Sequence, residues 1–339
     1  MTQMREEVLE IPAAVDRLLS NGVDAIKEAA KAARAADPKF AVTVARGSSD
    51  HVCSFLKYAF ELELGLPVAS VGPSVASIYG AQLKQANSIT LAVSQSGKSP
   101  DIVAMTQSAT QGGSLSIAFT NDPTSPLAEV ASQTINIHAG PELSVAATKT
   151  FVTSAVAGLM LLAEWKGDEA LRSALRSLPA DLERAVQIDW PELSEAIGSS
   201  QSLFTLGRGP SWAVSNETAL KFKETSQIHA ESYSSAEVLH GPVSIVNTGF
   251  PILCFATGDA AESSLVEVAD QLADKGAQVF ITSKQTQKAR QLPHVRTAHA
   301  MTDPIALITS SYAMIERVAA DRGINPDTPR HLRKVTETV

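Results

Sequence analysis

Cysteine is nearly absent from this 339-residue chain: Cys53 and Cys254 are the only two, and no CxxC pair occurs. That scarcity excludes a disulfide framework and a thiolate zinc site, and it suits a reducing compartment. Positive charge is also in short supply, with 28 Lys and Arg against 36 Asp and Glu, a formal net charge of -8. A nucleic-acid surface needs a clustered basic footprint, so no nucleic-acid partner is expected. An anionic small molecule is still allowed, because a local nest of amides holds phosphate against an unfavourable global charge. The longest apolar run, "FVTSAVAGLMLLAEW" at 151–165, falls short of the roughly 20 residues a membrane span requires and reads as a buried helix. The N-terminal "MTQMREEVLE" is charged where a signal peptide needs an apolar core. A cytoplasmic location without membrane contact is the expectation.

Nucleotide motifs are missing too. "SGKS" ends short of a phosphate-binding GxxxxGK[ST] loop, since the required first glycine is replaced by Ala92, and "GRGP" at Gly207 lacks the third glycine of a dinucleotide fingerprint. His51, His138, His229, His294, His299 and His331 form no HExxH or comparable spacing, so neither a metal nor a cofactor is expected.

What the chain does contain is a pattern written twice. With 44% hydrophobic and 19% charged residues it is a globular composition, long enough for two domains. Val/Ile/Leu-rich strands alternate with helical stretches, which predicts parallel sheets covered by helices. The first half supplies "KFAVTVARG", "LPVASVG", "SITLAVSQ", "SLSIAFTN" and "QTINIHAG"; the second supplies "SLFTLGRG", "IHAESYS", "FPILCFATG", "AQVFITSK" and "HVRTAHA". Gly209 follows Gly47 by 162 residues, Ala256 follows Ser94 by 162, and Val279 follows Ser116 by 163. "FLKYAF" at Phe55 also pairs by letter with "ALKFKE" at Ala219. The fold class expected is therefore α/β, as two tandem doubly wound α/β/α domains with mostly parallel sheets of about five strands each. Expected boundaries are a helical segment at 1–36, a first domain at 37–165, a helical connection at 166–200, a second domain at 201–320 and a tail at 321–339. In doubly wound sheets ligands collect outside the C-terminal strand ends, where the polar motifs fall.

The stretch "LAVSQSGKSPDI" is an apolar strand, a polar turn and a helix start. Ser94, Gln95, Ser96 and Ser99 surround Gly97, and Pro100 suits a first helical turn. Free N–H groups and the positive helix end suit one phosphate monoester. A capping serine alone is the plainer reading, but four polar side chains exceed what a cap needs. Ser48 and Ser49 in "ARGSSDH" end the neighbouring strand. Further along, Glu217, Lys221 and Glu224 fall at i, i+4 and i+7 of one helix face. Taken alone these make a solvated ion-pair stripe; the first copy has no carboxylate to match Glu224, which favours a task held by one copy. His240 stands at an irregular "HGP" turn with Glu237 one turn earlier, where imidazole serves proton transfer and Glu237 can orient it. The tail "GINPDTPRHLRKVTETV" mixes prolines, basic and apolar residues, a pattern able to fold back and deliver Lys334.

"ARGSSD", "SQSGKSPD", "VAATK", "LKFKE", "HAESYSSAEVLHGP" and "GINPDTPRHLRKVT" together resemble the tandem sugar-isomerase-domain family. It includes the isomerase half of glutamine–fructose-6-phosphate aminotransferase and the stand-alone sugar-phosphate deaminases and isomerases. "ARGSSDH", "PSVASIYG" and "SQSGKSPD" are most similar to the second, non-hexameric type of glucosamine-6-phosphate deaminase. The resemblance implies a phosphosugar ligand with its phosphate on Ser94, Gln95, Ser96 and Ser99, and with Ser48, Ser49, Val145 and Ala147 along the sugar. It implies that Glu224 moves a proton between C1 and C2, that His240 assists ring opening from a neighbouring subunit of a homodimer, and that Lys334 matches the tail lysine that forms a Schiff base. Lys98 stands where the aminotransferase has glutamate, and Ala147 where it has serine. No amidotransferase domain and no N-terminal cysteine nucleophile precede these motifs, so the expected reaction is independent of glutamine. It is glucosamine-6-phosphate plus water giving fructose-6-phosphate and ammonia. The alternatives are another phosphosugar isomerase, deaminase or deglycase, or a noncatalytic phosphosugar-binding regulator.

Overall fold

The computed structural model describes residues 1–198 and 200–334; the last five positions of the expected tail segment lie outside them. The chain begins with α1 (Gln3–Leu9), α2 (Ile11–Asn21) and α3 (Val23–Ala36). A first series follows: β1 (Phe40–Val44), α4 (Ser48–Leu64), β2 (Val68–Ser70), α5 (Ser74–Ser77), β3 (Ser88–Val93), α6 (Pro100–Gln111), β4 (Leu115–Thr120), α7 (Pro126–Val130) and β5 (Gln133–Asn136). Then come α8 (Lys149–Lys166), α9 (Glu169–Ala185) and α10 (Pro191–Ile197). The second series is β6 (Ser202–Gly207), α11 (Pro210–Ser226), β7 (His229–Ser234), β8 (Pro251–Cys254), α12 (Glu262–Asp274), β9 (Gln278–Ile281), β10 (Arg290–Gln291) and α13 (Asp303–Asp321).

The two sheets are parallel throughout and have the same strand order: β2-β1-β3-β4-β5 and β7-β6-β8-β9-β10. This is the doubly wound order in which the chain reverses direction across the sheet beside the first strand, leaving a crevice at the C-terminal strand ends. β3 is buried at every position, as a central parallel strand covered on both faces must be. The edge strand β2 is short and mostly exposed. The expected fold class is thus observed.

The chain divides into two compact units. The first holds the first sheet and comprises Ala13–Glu142, Lys149–Arg176 and the tail from Arg333. The second holds the second sheet and comprises Met1–Pro12, Leu143–Thr148 and Ser177–Leu332. In the first unit the long apolar run is α8, buried continuously over residues 149–163. Being apolar all round, it packs inside the unit, against α3 and α4. Among the described residues no helix is long and apolar enough to cross a membrane. In the second unit α13 is buried along most of its length and packs on α11. The segment after α13 is tied to α1 by Asp327, which accepts the N–H groups of Gln3 and Met4 at 2.8 Å each.

Two expectations need correction. The fifth strand of the second sheet is Arg290–Gln291, paired with Phe280 and Ile281, and not "HVRTAHA" at 294–300. That segment is irregular because its groups bond elsewhere: Thr297 N–H donates to Asp303, and Arg296 binds the Ala256 carbonyl, Glu262 and Asp303. The second correction concerns the repeat. α4 and α11 start at Ser48 and Pro210 and end at Leu64 and Ser226, so their offset is 162 residues, whereas matching "FLKYAF" to "ALKFKE" shifts it by two. In structural register Glu217, Lys221 and Glu224 stand opposite Phe55, Ala59 and Leu62.

The duplication reaches the backbone angles. Gly47 precedes α4 with φ 55° and ψ -135°, and Gly209 precedes α11 with φ 61° and ψ -135°. No atom lies within 4 Å of a Cβ placed on either glycine, so an alanine there meets strain and no clash. Gly47→Ala and Gly209→Ala are each expected to destabilise by about 1–3 kcal/mol. Denaturant melts of the two variants test this, and free tolerance of alanine at either position contradicts the shared turn geometry.

Candidate active site

The serine turn lies at the C-terminal end of β3 in the first unit. Ser94 is buried; its oxygen accepts the Gly97 N–H at 3.2 Å, so it shapes the turn while its O–H remains to donate. Gly97 has φ 63°, and a Cβ there would sit 2.1 Å from Ser125 Oγ, so only glycine fits. The carbonyl of Gln95 accepts from Asn121 N–H at 3.0 Å and that of Gly97 from Leu127 N–H at 3.1 Å. These bonds fix the backbone and leave the Gln95, Ser96 and Ser99 side chains partly exposed. Ser99 is the N-cap residue of α6, yet its side chain makes no capping bond. Ser99 is thus not a capping serine, whereas Ser96 accepts the Lys98 N–H at 3.3 Å within the turn, and the hydroxyls lie at a helix N-terminus suited to an anion. Ser48 and Ser49 open α4 after the Gly47 turn and are partly exposed.

Sequence reasoning missed what joins these two turns. Arg46, at the end of β1, donates from Nε to Asp101 Oδ2 at 3.1 Å, and Asp101 is fully buried in the first turn of α6. One buried carboxylate thus ties the Ser48–Ser49 turn to the serine turn. Lys98 reaches Asp122 at 3.7 Å, a half-exposed pair. Asp50, in the first turn of α4, has its pKa raised by burial, against the lowering influence of His51 and Arg46.

The second unit carries different side chains at the matching place. The register Phe204↔Ile252 repeats Val42↔Thr90 at an offset of 162, which sets Ala256, Gly258 and Ala261 opposite Ser94, Ser96 and Ser99. Three hydroxyls are gone, and the Gly258 N–H instead donates to Asp303 Oδ2 at 2.8 Å. An internal carboxylate thus takes up a backbone N–H of this turn.

The reverse asymmetry marks the helices. Phe55 and Ala59 of α4 are core residues, but their counterparts Glu217 and Lys221 on α11 are charged and 0% exposed. Lys221 Nζ lies 3.3 Å from Glu217 Oε1 and hydrogen-bonds Glu224. The Tyr312 hydroxyl on α13 donates to Glu217 Oε1 at 3.2 Å. Burial works to strip the charge from Lys221, but Glu217 and Glu224 outweigh it and hold its pKa above the ordinary lysine value. Glu224 alone of the three is open to solvent, at 21% of its side chain. The solvated ion-pair stripe is therefore overturned: this is a buried row of charges with one carboxylate presented at its end.

Other expected site residues stand as follows. His240 and Glu237 share a 3₁₀ turn, Glu237–His240, after β7, and both are exposed. Gly241 follows at φ 154° and opens a second such turn, Pro242–Ile245. Val145 and Ala147 are partly exposed and alternate with buried Ser144, Ala146 and Thr148. Their segment is held by Glu7 of α1, whose buried carboxylate accepts the N–H groups of Leu143 and Ser144. Lys334 of the tail donates to Glu142 Oε2 at 3.0 Å within the first unit. Neither Glu7 nor Glu142 was foreseen; Glu142 directly precedes "LSVAATK" and was open to notice, while Glu7 lies in an ordinary amphipathic-looking start.

Comparison with known proteins gives the family. The SIS domain family model matches residues 36–164 and 196–320, and the chain belongs to that family. Glutamine–fructose-6-phosphate aminotransferase [isomerizing] of Legionella pneumophila (strain Paris) is 34% identical over 308 residues, covering 86% of this chain and 50% of that protein. The chain thus spans about half the length of the curated relatives it matches. Among solved structures, a protein of Silicibacter pomeroyi DSS-3 put forward as a phosphosugar isomerase is 64% identical with a TM-score of 0.94, covering 96% of this chain and 100% of its own. Glucosamine-6-phosphate deaminase of Thermotoga maritima shares the fold with a TM-score of 0.80 at 18% identity, covering 99% of this chain and 100% of its own.

The buried charge row has a stability consequence. Lys221→Met leaves Glu217 without its cation and is expected to cost about 3–5 kcal/mol. Adding Glu217→Gln should return most of that loss in denaturant melts. A single variant as stable as the parent contradicts the buried pairing.

Proposed function

We propose that this protein is a phosphosugar isomerase that deaminates: glucosamine-6-phosphate and water give fructose-6-phosphate and ammonia. The observation that carries the reading is the buried Glu217–Lys221–Glu224 row, placed where the other copy of the repeat has Phe55, Ala59 and Leu62. Burying Glu217 and Lys221 is a poor route to stability, since apolar residues of similar size often serve as well or better. Presenting one carboxylate with a fixed neighbouring cation is what a proton transfer needs.

In this reading Gln95, Ser96 and Ser99 hold the phosphate with the N-terminus of α6, Ser94 donates from beneath, and Lys98 adds a point charge. Ser48, Ser49, Val145 and Ala147 line the sugar. His240 opens the ring in a homodimer, acting on the neighbouring subunit's substrate with Glu237 beside it. Glu224 then takes the C2 proton and returns it to C1 through an enolamine. Lys221 hydrogen-bonds Glu224 and faces developing negative charge. Water adds to the resulting fructose imine and ammonia leaves. Lys334 forms or exchanges an imine with the open-chain ketose. No metal or cofactor enters.

A second reading, isomerisation or deamination of a different phosphosugar, is favoured by Ala147 standing in the sugar-lining segment where the aminotransferase has serine. Ammonia release from a panel of amino-sugar phosphates separates the two, and no ammonia from glucosamine-6-phosphate refutes the first. Glu224→Gln should retain phosphosugar binding and lose turnover by on the order of a hundred- to ten-thousand-fold. Ser96→Ala should mainly raise KM. A change confined to kcat would show that the serine turn does not hold the phosphate.

A further inference from the structure

Glu142 ends the first stretch of the first unit, six positions beyond β5, and its side chain is 0% exposed. Its Oε1 accepts the Thr150 N–H at 3.0 Å, and its Oε2 accepts the Thr150 hydroxyl at 2.7 Å. Thr150 lies in the first turn of α8, so the carboxylate faces a helix N-terminus that favours negative charge. These two donors fix both oxygens in place. Lys334 Nζ adds a third contact, at 3.0 Å from Oε2, with 26% of the lysine side chain exposed.

The tail does not reach this point by generic packing. Residues 330–333 are exposed, and Leu332 is 42% exposed, so the segment returns to the unit at the lysine itself. Ordering a lysine side chain gives up most of its rotamer freedom. An apolar anchor would hold a tail at less cost, as Pro326 and Pro329 do a few residues earlier, where both are buried. The arrangement therefore specifies where one amine sits. It also puts that amine against a proton acceptor, with a solvent-facing side left open.

We propose that Glu142 is the proton acceptor that holds and activates Lys334 for imine formation with an open-chain ketose phosphate. The inference rests on the reading that Lys334 forms the imine. In the step, the Lys334 ammonium gives a proton to the Glu142 carboxylate. The freed lone pair forms a C–N bond at C2 of the ketose while the C=O π bond breaks, and a proton on the nitrogen moves to the oxygen to give a carbinolamine. The Glu142 carboxyl then returns its proton to the departing hydroxyl, which leaves as water. The products are a protonated imine and an ionised Glu142, so no oxidant or reductant is needed. Thr150 is a positioning residue, acting through the carboxylate it holds.

The test is borohydride trapping on the full chain with fructose-6-phosphate, followed by mass mapping of the Lys334 peptide, alongside direct measurement of fructose-6-phosphate binding. Glu142→Gln is expected to slow trapping by about a hundredfold or more with binding unchanged, and Glu142→Asp to recover part of the rate. Trapping at the parent rate in Glu142→Gln, with Lys334→Ala giving no adduct, overturns the role of Glu142 and leaves Lys334 standing. If the parent forms no adduct, or Lys334→Ala forms the same one, the lysine reading fails and this inference fails with it. Should Glu142→Gln not fold, Thr150→Val decides: slower trapping with parental binding supports the inference, and an unchanged rate overturns it.

Discussion

A lysine taken out of water without a counter-charge loses its proton or unfolds its surroundings, because desolvation costs several kcal/mol per ion. Lys221 is 0% exposed, and the two carboxylates on its own helix keep it charged. The packing around α11 accommodates that ion. α13 covers α11 and supplies the Tyr312 hydroxyl to Glu217, and Glu224 sits at the open end of the row. The first unit, built on the same strand order, fills the matching positions with Phe55 and Ala59 and needs no such device.

The two copies of the repeat have specialised in opposite directions. One has hydroxyls at the end of its third-position strand and no side-chain cap on the helix that follows; the other has Ala256, Gly258 and Ala261 there, with the Gly258 N–H bonded to Asp303. One has Phe55, Ala59 and Leu62 on its first helix where the other has Glu217, Lys221 and Glu224. Each half of the proposed chemistry, gripping an anion and moving a proton, therefore has its own internal control in the other copy. Such a comparison within one chain carries more weight than a motif alone, because both copies share backbone geometry down to the Gly47 and Gly209 turns.

Much of this was legible in the sequence. Alternating strands and helices gave both sheets except β10, and the near-constant spacing of Gly47 to Gly209, Ser94 to Ala256 and Ser116 to Val279 revealed the duplication. The serine turn stood out because four polar side chains exceed the needs of a cap. What escaped was whatever depends on partners distant in sequence. The i, i+4, i+7 spacing of Glu217, Lys221 and Glu224 is identical for a solvated stripe and a buried row; the choice is made by α13, about ninety residues later. Glu142 and Lys334 meet across 192 positions, and Glu7 grips a segment 136 positions away. Letter similarity also misled: aligning Lys57 with Lys221 shifted the helix by two residues and hid that a lysine had replaced Ala59. "HVRTAHA" has the composition of a strand, but Arg296 and Asp303 draw it into side-chain bonds.

The central claim is that Glu224, held by Lys221, carries a proton between two adjacent sugar carbons. Incubating fructose-6-phosphate and glucosamine-6-phosphate with the protein in deuterium oxide, and following C1 and C2 by NMR, reads that transfer directly. The account predicts deuterium entering at C1 of the ketose or C2 of the aldose with the parent protein, and none with Glu224→Gln at equal occupancy. Exchange that continues without the carboxylate, or that never occurs with the parent on either sugar, contradicts it.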